Sequence, residues 1–168
     1  MEYEKLIKDR NSTRLFSDKE VEIEKVDKIL EAGRIAPTAR NIQPIKIYVV
    51  KSEEGINKID KCTMCRYRAP LVFIICADKE KGYKRDNYSS YTVDASIVGT
   101  HMMLEATNVG LGNVWVGAFS EDKVIKEFNI PENLVPILLL PVGYKAKLCP
   151  PSPMHKIRKK IKDMVEYK

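Results

Sequence analysis

Three stretches gather side chains whose types could do chemistry. Arg10, Ser12 and Arg14 lie in "DRNSTRLF"; Thr38, Arg40, Asn41 and Gln43 lie between Pro37 and Pro44; Lys156 and Arg158 lie in "HKIRKKIK", residues 155–162. An arginine presents a planar fork matched to phosphate oxygens, while serine and asparagine donate to hydroxyl chains or to a heterocycle carbonyl. Together the stretches describe a site for a small anionic ligand. Each taken singly is equally a set of helix-end caps, because arginine and serine near a helix terminus commonly satisfy its orphan groups. The usual catalytic constellations are missing: the sequence holds no GxSxG, no HExxH and no GxxxxGK[ST]. Its two histidines, His101 and His155, are far apart. "GLGNVWVG", residues 110–117, follows a helix and enters a strand, the reverse of a dinucleotide-binding turn. Cys62-Thr63-Met64-Cys65 is a CxxC without a second pair at zinc spacing, so it reads as incidental thiols near a helix end, and no metal site is expected. His101, within a long apolar helix, reads as a satisfied core histidine.

The elements that must position these residues follow from periodicity. A helix is expected over Glu2–Lys8 and another over about Glu20–Ala36, capped by Ser17 or Asp18, with Val26, Ile29, Leu30 and Gly33 at helical spacing and Pro37 ending it. Strands are expected at Ile45–Val50, Pro70–Ala77, Asn113–Val116 and Ile137–Val142, the second a continuous apolar run typical of a buried strand. Ser52–Ile59 and Glu121–Phe128 read as short helices. Tyr91–Gly112 reads as the longest, apolar on more than one face and closed by Gly110. A final helix is expected over Met154–Tyr167, with Ile157, Ile161, Met164 and Val165 on one side. Alternating strands and helices fit either a three-layer α/β or an α+β arrangement.

With 168 residues and 44% apolar composition, the chain fits one compact domain, 1–168. No apolar stretch reaches the length of a membrane span, and "MEYEKLIKDR" is charged where a signal peptide is apolar, so a cytoplasmic protein is expected. In that compartment Cys62, Cys65, Cys76 and Cys149 are expected as free thiols. The net charge of +6 reflects 29 basic and 23 acidic residues and is concentrated near the C-terminus. A nucleic-acid contact through "HKIRKKIK" is disfavoured, because the rest of the chain mixes both signs and lacks a recognition-helix signature. A solvated helix face or a site for a smaller anion fits better.

The order of the stretches carries more than any one of them. "RNSTRLF", then "LEAGRIAPTARNIQPIKIYVV", then "VDASIVGTHMMLEATNVGLGNVWVGAF", then "LLLPVGYKA" and a basic C-terminal segment, resembles the FMN-dependent nitroreductase family over nearly the whole chain. Thr38 stands where that family commonly has serine, and Ile45 where it has an aromatic residue. The resemblance implies an α+β fold with a mixed five-strand sheet flanked by helices, in an intertwined homodimer whose C-terminal segments embrace the partner. It implies FMN at the subunit interface, with NADH or NADPH as electron donor. By the same match, Arg10 and Ser12 stand near the flavin phosphate and ribityl chain, and Arg14 near the N1 and C2-carbonyl edge. Pro37, Thr38, Ala39 and Asn41 stand in a loop reaching the other subunit's flavin; Val116, Gly117 and Ala118 stand against the N5 edge; Lys156 and Arg158 stand as a C-terminal phosphate pair.

Flavin chemistry needs no protein nucleophile, which agrees with the missing catalytic constellation. The implied activity is a ping-pong oxidoreductase passing electrons from NAD(P)H to nitroaromatic, quinone or similar small-molecule acceptors. An alternative is a flavin-holding electron carrier reduced by a protein such as ferredoxin, docked on the basic C-terminal segment. Ser52–Ala69 is short for the helical excursion that covers the site in longer members, so a more open flavin is expected. Arg66 and Arg68 are candidates for a contact to the flavin pyrimidine ring.

Overall fold

The computed structural model describes residues 2–168. Its elements run α1 (Tyr3–Asp9), α2 (Ile23–Arg34), β1 (Ile45–Val50), α3 (Glu53–Cys62), β2 (Leu71–Asp78), β3 (Lys84–Arg85), β4 (Tyr88–Ser89), α4 (Tyr91–Asn108), β5 (Gly112–Asn113), α5 (Glu121–Phe128) and β6 (Leu134–Gly143). Short 3₁₀ turns occupy Ala39–Asn41, Pro153–Lys156 and Ile161–Asp163.

The apolar run of β2 sits in the middle of the sheet, antiparallel to β1 on one side and to β6 on the other. Strand period then sorts its side chains. Leu71, Phe73, Ile75 and Ala77 enter one core with α2 and α4; Val72, Ile74 and Cys76 enter a second with α3 and α5. Helices on both faces give three layers around an antiparallel sheet, an α+β arrangement. Ser52 and Ser120 accept hydrogen bonds from the Gly55 and Lys123 amides and so start α3 and α5. Gly110, at φ 82°, closes the end of α4 in a conformation that penalises a Cβ. At Gly99 a Cβ would meet Leu138 and Trp115 side chains at 3.0 and 3.1 Å, so its absence allows α4 its close approach to the sheet.

The expected mixed five-strand sheet is corrected to four antiparallel strands, ordered β1-β2-β6-β5, plus the separate β3–β4 ribbon. A lone parallel bridge, Ser12 to Asn113, adds the N-terminal segment at the β5 edge. The third expected strand shrinks to Gly112–Asn113, followed by a bridge from Val116 to Leu139. Helix α2 starts later than expected, and neither Ser17 nor Asp18 caps it. The Ser17 amide donates to the Tyr144 carbonyl and Asp18 lies 3.6 Å from Arg68, because this stretch runs extended along the end of β6.

The C-terminal helix expected over Met154–Tyr167 does not form; two isolated 3₁₀ turns stand in its place. Lys156 with Lys160, and Arg158 with Lys162, would be like charges one helical turn apart, which disfavours the helix. Its apolar side also finds no surface within the chain, and Ile157, Ile161, Met164, Val165 and Tyr167 stay exposed. Helix α4 buries one side, including Ala95, Val98, Gly99, Met102 and Ala106, while Val93 faces outward, 45% exposed. His101 is half-buried on that outer side rather than inside the core.

Candidate functional site

After α1 the chain becomes extended, and the Thr13 amide donates to the Asn113 carbonyl at 2.9 Å. Asn11 and Thr13 are buried, and Arg10, Ser12 and Arg14, alternating with them along the extended segment, gather around one cavity that Asn11 also borders. The Asn113 side chain anchors the β5 edge by donating to the Met103 carbonyl and the Thr107 hydroxyl at 3.0 and 2.9 Å.

That cavity, of about 210 Å³, is lined by Arg10, Ser12, Arg14, Ser152, His155 and Arg158, with Asn11 and Met154. None of its lining groups is a carboxylate. The ion pairs formed among the described residues leave out Arg10, Arg14 and Arg158. Burial, and then the neighbouring Arg158, lower the Arg10 guanidinium's pKa from its ordinary value. Guanidinium groups converging without a counter-charge are a donor set for an anion such as a phosphate monoester.

The tail reaches this cavity through few bonds. Nε2 of His155 lies 3.0 Å from the Lys8 carbonyl, which can only accept, so Nε2 carries the proton. Ser152 accepts from the Met154 amide and sets the turn. Lys156, expected as one of the phosphate pair, is exposed and outside the lining. Asn11, Ser152 and His155 were missed by sequence reasoning; only the adjacency of His155 to Lys156 in "HKIRKKIK" hinted at one of them.

The other expected residues occupy two further places in the chain. Thr38 borders a pocket with Leu30, Gly33, Arg34, Gln43, Ile45 and Val98. Ala39 donates its amide to Asp94, and Pro37 and Asn41 are exposed. Elsewhere, Val116 is buried and exchanges two hydrogen bonds with Leu139, at 2.9 and 3.0 Å. Beyond it Gly117 is exposed, with nothing within 4 Å of where a Cβ would stand. The Ala118 carbonyl accepts the Thr63 hydroxyl at 2.7 Å and borders a cleft of about 580 Å³ with Cys62, Thr63, Cys65, Phe119 and Lys123.

Burial first, and then Glu127, push the Cys62 thiol up, and its sulfur donates to the Lys58 carbonyl. The Tyr67 hydroxyl is raised first by its hydrogen bond with Cys65, against a smaller opposing bond from Arg14, which ties Arg14 to the 62–68 loop. Arg66 is occupied by a two-pronged pair with Asp60, at 2.6 and 2.7 Å, and by the Ala69 carbonyl. Arg68, largely exposed, keeps its guanidinium toward solvent and Asp18.

With that geometry in place, the comparison with known proteins is specific. A profile of the nitroreductase family matches residues 7–67 and 65–144. The chain belongs to the nitroreductase family. A Methanothermobacter thermautotrophicus protein provisionally named NADH dehydrogenase/NAD(P)H nitroreductase is 35% identical over 153 residues, covering 84% of this chain and 76% of its own. A solved nitroreductase family protein from Clostridium difficile 630 superposes with a TM-score of 0.94 at 42% identity, covering 100% of this chain and 99% of that one. A solved FMN-dependent nitroreductase from Clostridium difficile R20291 gives 0.73 at 27% identity, covering 92% and 96%. The matched span takes in the Arg10 to Arg14 strand, the 37–44 loop and the 110–118 turn, whereas the tail that brings Arg158 and His155 lies beyond it.

Proposed function

We propose that the protein is an FMN-dependent NAD(P)H oxidoreductase of the nitroreductase type, acting in ping-pong order on nitroaromatic, quinone or similar small acceptors. The observation that carries the reading is the carboxylate-free cavity in which Arg10 and Arg158 converge with the Ser12 hydroxyl. Family membership and the relatives' names support the same reading.

The donor set fits FMN. Arg10 and Arg158 would hold its phosphate, Ser12 and Ser152 would donate to phosphate or ribityl oxygens, and His155 closes the cavity from the tail. Arg14, tied to Tyr67, would face the N1 and C2-carbonyl edge of bound FMN, where a fixed cation would favour developing negative charge. The backbone of Val116, Gly117 and Ala118 would face the N5 edge of bound FMN, and Gly117, with nothing within 4 Å of where a Cβ would stand, would leave room for it. Bound FMN supplies the hydride-accepting and electron-donating ring that the side chains lack.

The protein acts as a homodimer. Pro37, Thr38, Ala39 and Asn41 border none of the arginine cavity within one chain, and they complete the site of a second copy. The uncovered α4 face, a groove of about 340 Å³ with Val93, Ile97 and His101, and the exposed apolar tail provide surface for that contact. No helix among the described residues is long and apolar enough to cross a membrane, and a cytoplasmic protein is proposed.

The test is the visible spectrum of the purified protein loaded with FMN, followed anaerobically on adding NADH and then NADPH. Bleaching within seconds, reversed by a nitroaromatic or quinone, is expected. A flavin that stays oxidised with both nucleotides would overturn the reductase reading, and failure to take up FMN would overturn the cofactor.

A further inference from the structure

The 38–43 loop is irregular in a costly way. Arg40, Asn41 and Gln43 have φ of 51°, 55° and 54°, a left-handed conformation that side chains with a Cβ disfavour. Three such residues among six do not hold themselves there; the surrounding structure must over-determine them. Bonds within the loop go part of the way, with the Gln43 amide donating to the Thr38 hydroxyl at 3.0 Å and the Asn41 amide to the Thr38 carbonyl at 2.9 Å.

One anchor outside the loop is the Asp94 carboxyl group. Asp94 sits in the first turn of α4, only 1% exposed. One oxygen accepts the Ala39 amide at 2.8 Å and the other accepts the Ser90 hydroxyl at 2.7 Å. Ser90 in turn accepts the Tyr83 amide at 2.9 Å and donates its own amide to the Tyr83 carbonyl at 2.8 Å, so the segment leading into the β3–β4 ribbon is fastened to the same group. From the loop's side, the Arg40 guanidinium lies 4.5 Å over the Tyr83 ring and closes the circuit. Both Asp94 oxygens are thus engaged, as a buried polar group requires.

We infer that Asp94 is a positioning residue, which holds the 38–43 loop in the shape that receives FMN and links that shape through Ser90 to the β3–β4 ribbon. The inference rests on the FMN reading for its ligand. Asp94 touches no ligand itself. Without it the loop samples other shapes, and apparent affinity falls in proportion to the fraction left competent.

The experiment titrates FMN-free wild type, Asp94→Ala and Asp94→Asn with FMN by quenching of flavin fluorescence, alongside amide hydrogen exchange in the absence of FMN. Asp94→Ala is expected to bind roughly tenfold more weakly, with faster exchange confined to residues 38–43 and 83–90, because its buried donors lose their acceptor. Asp94→Asn keeps an oxygen for the Ala39 amide and recovers most of the affinity. Equal FMN affinity in wild type and Asp94→Ala, or exchange that quickens uniformly through β2 and β6, overturns the inference. Should Asp94→Ala not fold, Ser90→Ala gives the same reading, with a loss of about threefold expected from its single bond to the carboxylate and equal affinity again overturning it. Wild type that takes up no FMN overturns the cofactor reading by itself, and the exchange pattern then decides for or against Asp94 as the anchor.

Discussion

The 38–43 loop and the tail beyond Cys149 make an instructive pair, because both are proline-flanked, irregular and rich in candidate ligand groups. The loop is fixed from inside its own chain by Asp94 and Tyr83. The tail has almost nothing of the kind: His155 meets the Lys8 carbonyl, while Met154, Ile161 and Met164 remain 67–77% exposed. An irregular segment can thus be built in two ways, by an internal anchor or by a surface that the single chain leaves open. In the proposed homodimer a second copy would cover the tail's apolar residues, since isolated exposed apolar groups contribute little to a monomer.

Ending the chain after Cys149 should break the comparison most severely. Losing Arg158 and His155 from the cavity is expected to weaken FMN binding by about 100-fold, since charge-assisted contacts to phosphate are the strong ones. Light scattering should show the proposed dimer lost as well. A truncated protein that keeps both flavin and dimer would make the tail a bystander.

A pair of substitutions sharpens the contrast in stability. Leu139, fully buried between β2 and the Val116 bridge, should cost about 3 kcal/mol in urea unfolding on Leu139→Ala, mainly through the cavity left behind. Ile161→Ala, at 77% exposure, should change the stability of the monomer by less than about 0.5 kcal/mol. Comparable losses at both positions would show the tail packed onto its own chain.

The smallest effect tests how firmly the segment before α2 is tied down. Glu22 is lowered from 4.5 to about 2, first by a backbone hydrogen bond and then by the Tyr144 hydroxyl, which donates to it at 2.7 Å. A lowered folded-state value stabilises above the unfolded one, so this contribution is full above about pH 4.5 and is lost as pH falls toward 2. Tyr144→Phe should therefore lower stability slightly at pH 7, and the gap from wild type should close across that acid range. A gap that widens on acidification would contradict the sign.

Much of the fold was legible because it follows from local rules. The continuous apolar run Pro70–Ala77 had to be a strand buried on both faces, and Gly110 had to end the long helix. Arg10, Ser12 and Arg14 were legible as a cluster because strand geometry keeps alternate residues together. The helix expected at Met154–Tyr167 failed for the converse reason: periodicity describes a face but not what covers it. Lys156 and His155 traded places because one residue of rotation in a short turn decides which side chain meets the cavity.

The sequence by itself determined the main strands and helices from α1 to β6, the cationic character of the 10–14 and 155–162 stretches and the family, since each depends on residue type and spacing along the chain. Tertiary structure alone decided that the sheet has four antiparallel strands, that His155 and not Lys156 lines the arginine cavity, and that Asp94 fastens a loop 55 residues away in sequence. The physical reason is that a buried carboxylate or a converging guanidinium takes its partner from whatever the folded backbone brings within hydrogen-bonding distance, and no local pattern records that distance.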